Sequence, residues 1–335
     1  MAKFIVRRLL LLIPILLGLS VLIFVWVRNL PGGTAQAILG EKATPEQIEK
    51  FNEAYGLDEP LWVQYVHFLG RAIRLDFGVS VQTQQPVWDE INTRFPATIE
   101  LSVAALLFAV LVGIPLGYLA ARRYGSWLDR VLVSSSLVGV VIPVFVVGYL
   151  LKYVFAVKLG VLPDSGRQDI RIAADHPTGF YVFDGLITGN LGAAFDAFLH
   201  LILPGIALGT IPLAIIARIT RASVLDVVNE DYVRTAEAKG LTKQTVRGRH
   251  ILRNAMLPVV TIIGLQAGLL LSGAILTETV FAIPGMGSFM KDAIFKHDYS
   301  TIEGFILFSS VIYVLINLMV DIAYGLLDPR VRVRT

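Results

Sequence analysis

Residues 218–258 read RITRASVLDVVNEDYVRTAEAKGLTKQTVRGRHILRNAMLP, a polar and basic stretch set between two apolar ones. Its local signals are helical. Asn229 can cap a short helix whose Glu230 and Asp231 favour the positive end; Tyr232 to Lys239 continue it, and Gly240 ends it. Thr242 can cap a second helix reaching about Asn254, with Pro258 marking entry into the next apolar run. Two short helices bent at Gly240 predict a rigid knob, because a mobile linker would be richer in Gly and Ser and poorer in Ala, Val and Leu. The plain alternative is a basic loop that serves topology only.

Working outward, apolar runs at about 200–217 and 258–277 border this stretch, and four more lie at about 9–27, 97–121, 131–157 and 302–326. A helix needs about 20 apolar residues to cross a hydrocarbon core about 30 Å thick, and each run approaches or exceeds that length. None alternates polar and apolar residues as a barrel strand does. The chain of 335 residues is 55% hydrophobic and 16% charged, with a mean hydropathy of +0.68. Soluble domains carry roughly 25% charged residues, so the composition predicts an all-α polytopic membrane protein with six transmembrane helices. The absence of cysteine excludes disulfides, thiolate metal sites and thiol chemistry.

The expected organisation is a first transmembrane helix at 1–28, an extracytoplasmic helical insertion at 29–96 and a core domain at 97–335. The core holds an outer loop at 158–199 and the cytoplasmic loop at 218–256. Arg7 and Arg8 before the first run, and Ala35-Gln36-Ala37 after it, imitate a signal peptide, but the run exceeds the 7–15 residues of such an apolar region. Basic residues fix the orientation. The face holding both termini and the 218–256 loop carries about 17 basic and 7 acidic side chains, against about 12 and 19 on the other, so both termini are expected in the cytoplasm. The basic groups are spread over four segments without aromatic platforms, which argues against nucleic acid.

On the outer side, Thr44-Pro45-Glu46-Gln47 reads as a helix start, Gly56 as its stop, and Ile48, Phe51 and Tyr55 share one face. A second helix follows Pro60, with Trp62, Tyr65, Phe68 and Leu69 on an aromatic surface. The 158–199 loop, rich in Gly, Asp and Pro, reads as irregular and suited to docking. Ionisable residues inside spans are functional candidates, and here they are few: Lys152, Glu278 and Asp321. Lys152 and Glu278 are placed near the outer interface, where snorkelling explains them. Asn317 and Asp321 share a helical face suited to inter-helix bonding, while Ser134, Ser135, Ser136, Gln266 and Ser272 either line a translocation path or pack helices. The five histidines show no metal-ligand spacing.

The stretch YVRTAEAKG, followed by RHILRNAMLP, resembles the cytoplasmic signature loop of permease subunits of binding-protein-dependent ABC importers. On that pattern Ala236 matches the final Ala of a Glu-Ala-Ala triplet, Gly240 the Gly and Leu257-Pro258 the Leu-Pro. Arg234 and Thr235 replace the first two members of the triplet, and the spacer is long, as in the peptide and nickel class. FIVRRLLLLIPILLGLSVLIFVWVRNLPGG, LDFGVSVQTQQPVWDEINTRFPATIEL, TETVFAIPGMGSFMKDAI and VDIAYGLLDPRVR all resemble the B-type membrane subunit of dipeptide and oligopeptide importers; 168–197 fits least. The resemblance implies a type I importer permease fold in a bacterial inner membrane. It also implies a homologous second permease subunit, two ATPase subunits or a fused pair, an extracytoplasmic substrate-binding protein and a peptide cargo. No Gly-Lys dipeptide occurs, so no Walker A loop does, and ATP and Mg belong to the partners; this chain binds no cofactor and is no enzyme by itself. Asp231 to Gly240 is then the helix inserted into the ATPase, with Tyr232 and Val233 as apolar anchors and Arg234, Glu237 and Lys239 as orienting charges. Nickel chelates and glutathione are rival cargoes. A secondary transporter is the rival class, disfavoured because buried coupling carboxylates, broken helices at the midplane and inverted halves are not found in the sequence.

Overall fold

The structure, a computed structural model, describes residues 2–29, 43–55 and 58–327 together with Ala35 and Leu39. The described residues fold as helices, with one isolated antiparallel bridge between Val79 and Pro86. In chain order the first are α1 (Ala2–Arg28), α2 (Pro45–Tyr55), α3 (Leu61–Ile73), α4 (Val87–Arg122), α5 (Trp127–Val141) and α6 (Val144–Leu151). There follow α7 (Tyr181–Ile187), α8 (Leu191–Val228), α9 (Asp231–Ala238), α10 (Lys243–Thr245), α11 (Arg253–Gly273), α12 (Ile275–Val280), α13 (Met286–Phe295) and α14 (Tyr299–Leu327). Lys152–Lys158 continues α6, and Val246–Leu252 joins α10 to α11, both as π-helical turns.

Among the described residues, five helices are long and apolar enough to cross a membrane: those at Leu10–Val27, Val87–Arg122, Leu191–Val228, Lys243–Leu271 and Tyr299–Val320. A bent pair, Trp127–Val141 and Val144–Lys158, whose limbs meet at 103°, makes a sixth crossing if the two limbs form one span. The span expected over 131–157 is therefore two limbs, broken at Pro143. Pro143, at φ −59°, caps the second limb and offers no N–H to the first. The run expected at 200–217 is the middle of the 38-residue α8. At about 1.5 Å per residue that helix is about 57 Å long, well beyond a bilayer core.

The chain divides into two compact units, Ala97–Ile283 with the chain from Ile316 onward, and Ala2–Pro96 with Pro284–Leu315. In this division 284–315 cluster with the N-terminal segment. In the first unit, α4 and α8 approach closely through small residues. A Cβ on Gly117 would run into the Ala217 carbonyl and Thr220, and one on Gly209 would lie 2.7 Å from the Ala105 carbonyl. Gly113 and Gly117 on α4, with Gly205 and Gly209 on α8, are two small-xxx-small pairs that let backbones meet where the hydrophobic effect offers no drive. Leu101, Ala105, Leu203 and Ala207 fill the adjoining core.

In the second unit Val87, Ile91 and Met286 are buried among Phe77, Trp88, Phe95, Phe305 and Phe308. Asp298, fully buried, accepts from Ser80 Oγ at 2.5 Å and from the N–H of Thr301 at 3.2 Å. The expected Thr44 start is a capping box: Gln47 N donates to Thr44 Oγ1 at 3.3 Å, and Thr44 N to Gln47 Oε1 at 2.9 Å. Tyr65 and Phe68 of α3 pack on Phe24 of α1 at 5.4 and 5.6 Å, while Trp62 stays exposed. Gly56 lies outside the described residues.

Candidate coupling and translocation sites

α8 closes at Asn229, whose Nδ2 donates back to the Leu225 carbonyl at 3.0 Å. Asn229 therefore ends the long helix and does not start the short one; Glu230 holds the N-cap position of α9 without a side-chain bond. The side chain expected at one terminus serves the neighbouring terminus because asparagine can satisfy either. α9 ends in a Schellman motif. Gly240, at φ +76°, donates to the Glu237 carbonyl at 2.9 Å and Leu241 to the Ala236 carbonyl at 3.3 Å. Thr242 then caps as expected, accepting from Thr245 N at 3.3 Å. The expected separate helix stopping near Asn254 is corrected. From Lys243 the chain runs helically through the π turn into α11, and Pro258 lies inside that helix.

Val233 and Ala236 are 2% and 4% exposed, packed with Ala121, Val224, Val246, Ile251 and Ala255. This corrects the expected role of Val233: it anchors α9 to its own chain and is unavailable to a partner. Ser223 Oγ adds a bond to the Ala255 carbonyl at 2.8 Å, tying α8 to α11 beneath the knob. The outward rim is polar. Asp231, Arg234, Glu237 and Lys239 are exposed, with only a loose contact of 3.8 Å between Arg234 and Asp231. Tyr232, whose OH accepts from Asn254 Nδ2 at 3.0 Å, and Leu241 supply the exposed apolar surface. Leu241 carries no helical signal in the sequence, where it follows the helix-ending Gly240.

A second anchor lies in the first turn of α5. Arg221 of α8 grips Asp129 with Nε to Oδ1 at 2.6 Å and Nη2 to Oδ2 at 2.9 Å, while Gly125 N donates to Oδ2 at 3.0 Å. Asp129 is 3% exposed, so its charge is matched by a two-pronged donor and a backbone N–H.

The path candidates separate. Ser135 and Ser136 line a cavity of about 250 Å³ between α4, α5 and α8, and Ser134 is exposed and does not line it. Gln266, buried, and Asn317, half-buried, lie on α11 and α14 away from that lining. The side chains of Ser272 and Asp321 lie outside the described residues. Glu278 is fully buried and accepts from Thr98 Oγ1 at 2.6 Å, so snorkelling to an interface is excluded. Lys152 reaches the Val280 carbonyl at 3.4 Å and Asp164 at 3.9 Å.

The loop at 158–199, expected on the outer side, is more ordered than its composition suggests. Arg167 Nη2 donates to Glu100 Oε2 at 2.6 Å and to the Gly179 carbonyl at 2.7 Å, and Val182 N donates to Glu100 Oε1 at 3.0 Å. The Arg167 guanidinium lies 3.7 Å from the Tyr181 ring centre, and His176 stacks on Tyr181 at 3.5 Å. Burial holds the His176 imidazole below its ordinary pKa of 6.5, and Arg167 adds to the lowering while Asp184, Glu100 and Asp175 oppose it. α7 and the start of α8 occupy 181–197, so the irregular reading of that segment is corrected.

Among the described residues no group of three or more His, Asp and Glu side chains could hold a metal. A polytopic helical membrane component with a charged knob built onto its spans is the class these features define. Residues 113–333 match the family described as binding-protein-dependent transport system inner membrane component, and residues 1–102 match its N-terminal region. The chain belongs to this family, as a multi-pass protein of the bacterial inner membrane. It is 46% identical over 336 residues to the dipeptide transport system permease protein DppB of Escherichia coli (strain K12), covering 99% of each chain. It is 45% identical over 332 residues to the protein of the same name from Alkalihalophilus pseudofirmus, covering 99% of this chain and 100% of the relative. The glutathione transport system permease protein GsiC of Escherichia coli O1:K1 / APEC is 40% identical over 332 residues, 99% of each chain.

Proposed function

We propose that this chain is the membrane-spanning permease subunit of an ATP-driven importer of dipeptides and oligopeptides. It pairs with a homologous permease, takes cargo from an extracytoplasmic binding protein and is driven by two ATPase subunits or a fused pair that bind ATP and Mg. The observation that carries this reading is full-length similarity at 45–46% to permeases named for dipeptide transport. The glutathione permease is also a relative, and a γ-linked tripeptide falls within the same peptide-like class.

α9 is the coupling element in this reading. Val233 and Ala236 hold it as a rigid body on α8 and α11, and its rim of Asp231, Tyr232, Arg234, Glu237 and Lys239 is free to meet the ATPase. Both termini are cytoplasmic, on the same side as α9, supported by the excess of basic residues there. Glu278 and Gln266 remain candidates for the path because both are buried polar groups on apolar elements.

Reconstitution with the partner subunits tests the reading. Peptide uptake should require ATP and the binding protein, and Glu237→Arg, on the exposed rim, should reduce uptake and peptide-stimulated ATP hydrolysis at least tenfold while the complex still assembles. Wild-type rates in that variant would remove α9 from coupling, and ATP-independent uptake by this chain alone would point to a secondary transporter.

A further inference from the structure

We propose that the slot between α4, α5 and α8 binds an anionic phospholipid, with an acyl chain along the slot and the phosphate on Arg218. The slot holds about 250 Å³ and is lined by Phe108, Leu116, Leu132 and Leu213 among other apolar groups. Its lining runs from Phe108 to Ala120 along α4 and from Thr210 to Arg221 along α8. At about 1.5 Å per residue this is about 16–18 Å, close to the about 15 Å of one hydrocarbon leaflet.

Polar groups in the slot are mostly spent. Ser135, Ser136 and Thr210 donate to the carbonyls of Leu132, Val133 and Ala207 at 3.0, 2.7 and 2.8 Å. Arg221 is committed to Asp129. Arg218 is different: it is exposed, lines the slot and, among the described residues, has no ion-pair partner. No carboxylate lines the slot among those residues. It is thus apolar along its length and cationic at the end that meets the basic rim of Arg122, Arg123 and Arg130. A route for zwitterionic peptides would need polar partners along its length, whereas a lipid needs one at the end. Charge at headgroup level and an apolar slot one leaflet deep match a phospholipid of that leaflet.

The test uses the purified complex with its partner subunits, delipidated in mild detergent, with lipid retention read by native mass spectrometry. Phosphatidylglycerol should be retained roughly fivefold better than phosphatidylcholine with identical chains, the preference about one arginine contributes. Arg218→Gln should abolish the preference and Arg218→Lys should keep it, while Ser135→Leu, which fills the slot, should reduce retention of both lipids. Equal retention of the two lipids, or an unchanged preference in Arg218→Gln, would overturn the proposal. Competition by inorganic phosphate as effective as the lipid would reduce the slot to an anion site, and displacement by a dipeptide would make it part of the solute route; each result overturns the lipid assignment. Because the readout is lipid retention, failure here leaves ATP-driven peptide uptake unaffected, and loss of uptake in the wild type leaves the lipid result standing.

Discussion

The α9 knob and the outer loop at 165–187 are both short polar segments fixed to long apolar helices, yet they are fixed by opposite means. α9 is held by buried Val233 and Ala236, which leaves its charges outside and unpaired with the interior. The outer loop is held by Arg167, Glu100, Tyr181 and His176, which spend their charges and ring faces on one another. Apolar attachment frees a polar rim for a partner, whereas polar attachment makes a scaffold. The proposed coupling role falls on the first kind of segment for this physical reason.

The contrast can be broken most forcefully at Glu100. Glu100→Ala leaves the Arg167 side chain, 7% exposed, without its carboxylate, and orphaning a buried charge costs about 3–5 kcal/mol. Thermal unfolding in detergent should register this, and limited proteolysis should open the chain between 165 and 190; an unchanged midpoint would mean the loop is held by other contacts. Val233→Ala removes two methyl groups from a closed cluster and should cost about 2 kcal/mol. It should loosen α9 in hydrogen exchange while leaving exchange of the outer loop as it was, and a coupled response would defeat the separation drawn between the two attachments.

The smallest effect is the titration of His176. Its folded pKa lies below 6.5 because burial disfavours the cation, so the folded state binds fewer protons than the unfolded one between the two values. The contribution is fully present above pH 6.5 and is lost as the pH falls through that value toward the folded pKa. Protection against hydrogen exchange in 165–187, taken relative to the intrinsic base-catalysed rate at each pH, should therefore fall from pH 7.5 to 5, and His176→Gln should flatten that profile.

How much was legible depends on the range of each signal. The long apolar helices, the Thr44–Gln47 box and the Thr242 cap were readable because composition and capping act within a few residues. Asn229 reads equally well at either terminus because its side chain suits both, and only geometry chooses. Val233 could have been placed inside: it stands three residues before Ala236, the spacing of a buried helical face, in an otherwise polar helix. The spacing of Gly113 with Gly117 and of Gly205 with Gly209 was equally present, as was the break at Pro143. The pairs Asp129–Arg221 and Glu100–Arg167 join residues 92 and 67 positions apart, and no local rule selects one arginine among many. Glu278 belongs with these, since the Thr98 hydroxyl that donates to it lies 180 positions earlier.

The π turn at Val246–Leu252 sets an angular phase. An α-helix advances about 100° per residue, and a π turn accommodates one residue more than the regular repeat. The seven residues between Thr245 and Arg253 thus fix which side of α11 carries the chain back toward α9. Removing one of them would restore the regular winding near the present phase, whereas winding all seven as regular α-helix would swing that attachment through roughly a quarter turn. The lengths of the loop and of the spans would barely change, but the direction in which a push arrives at the membrane would.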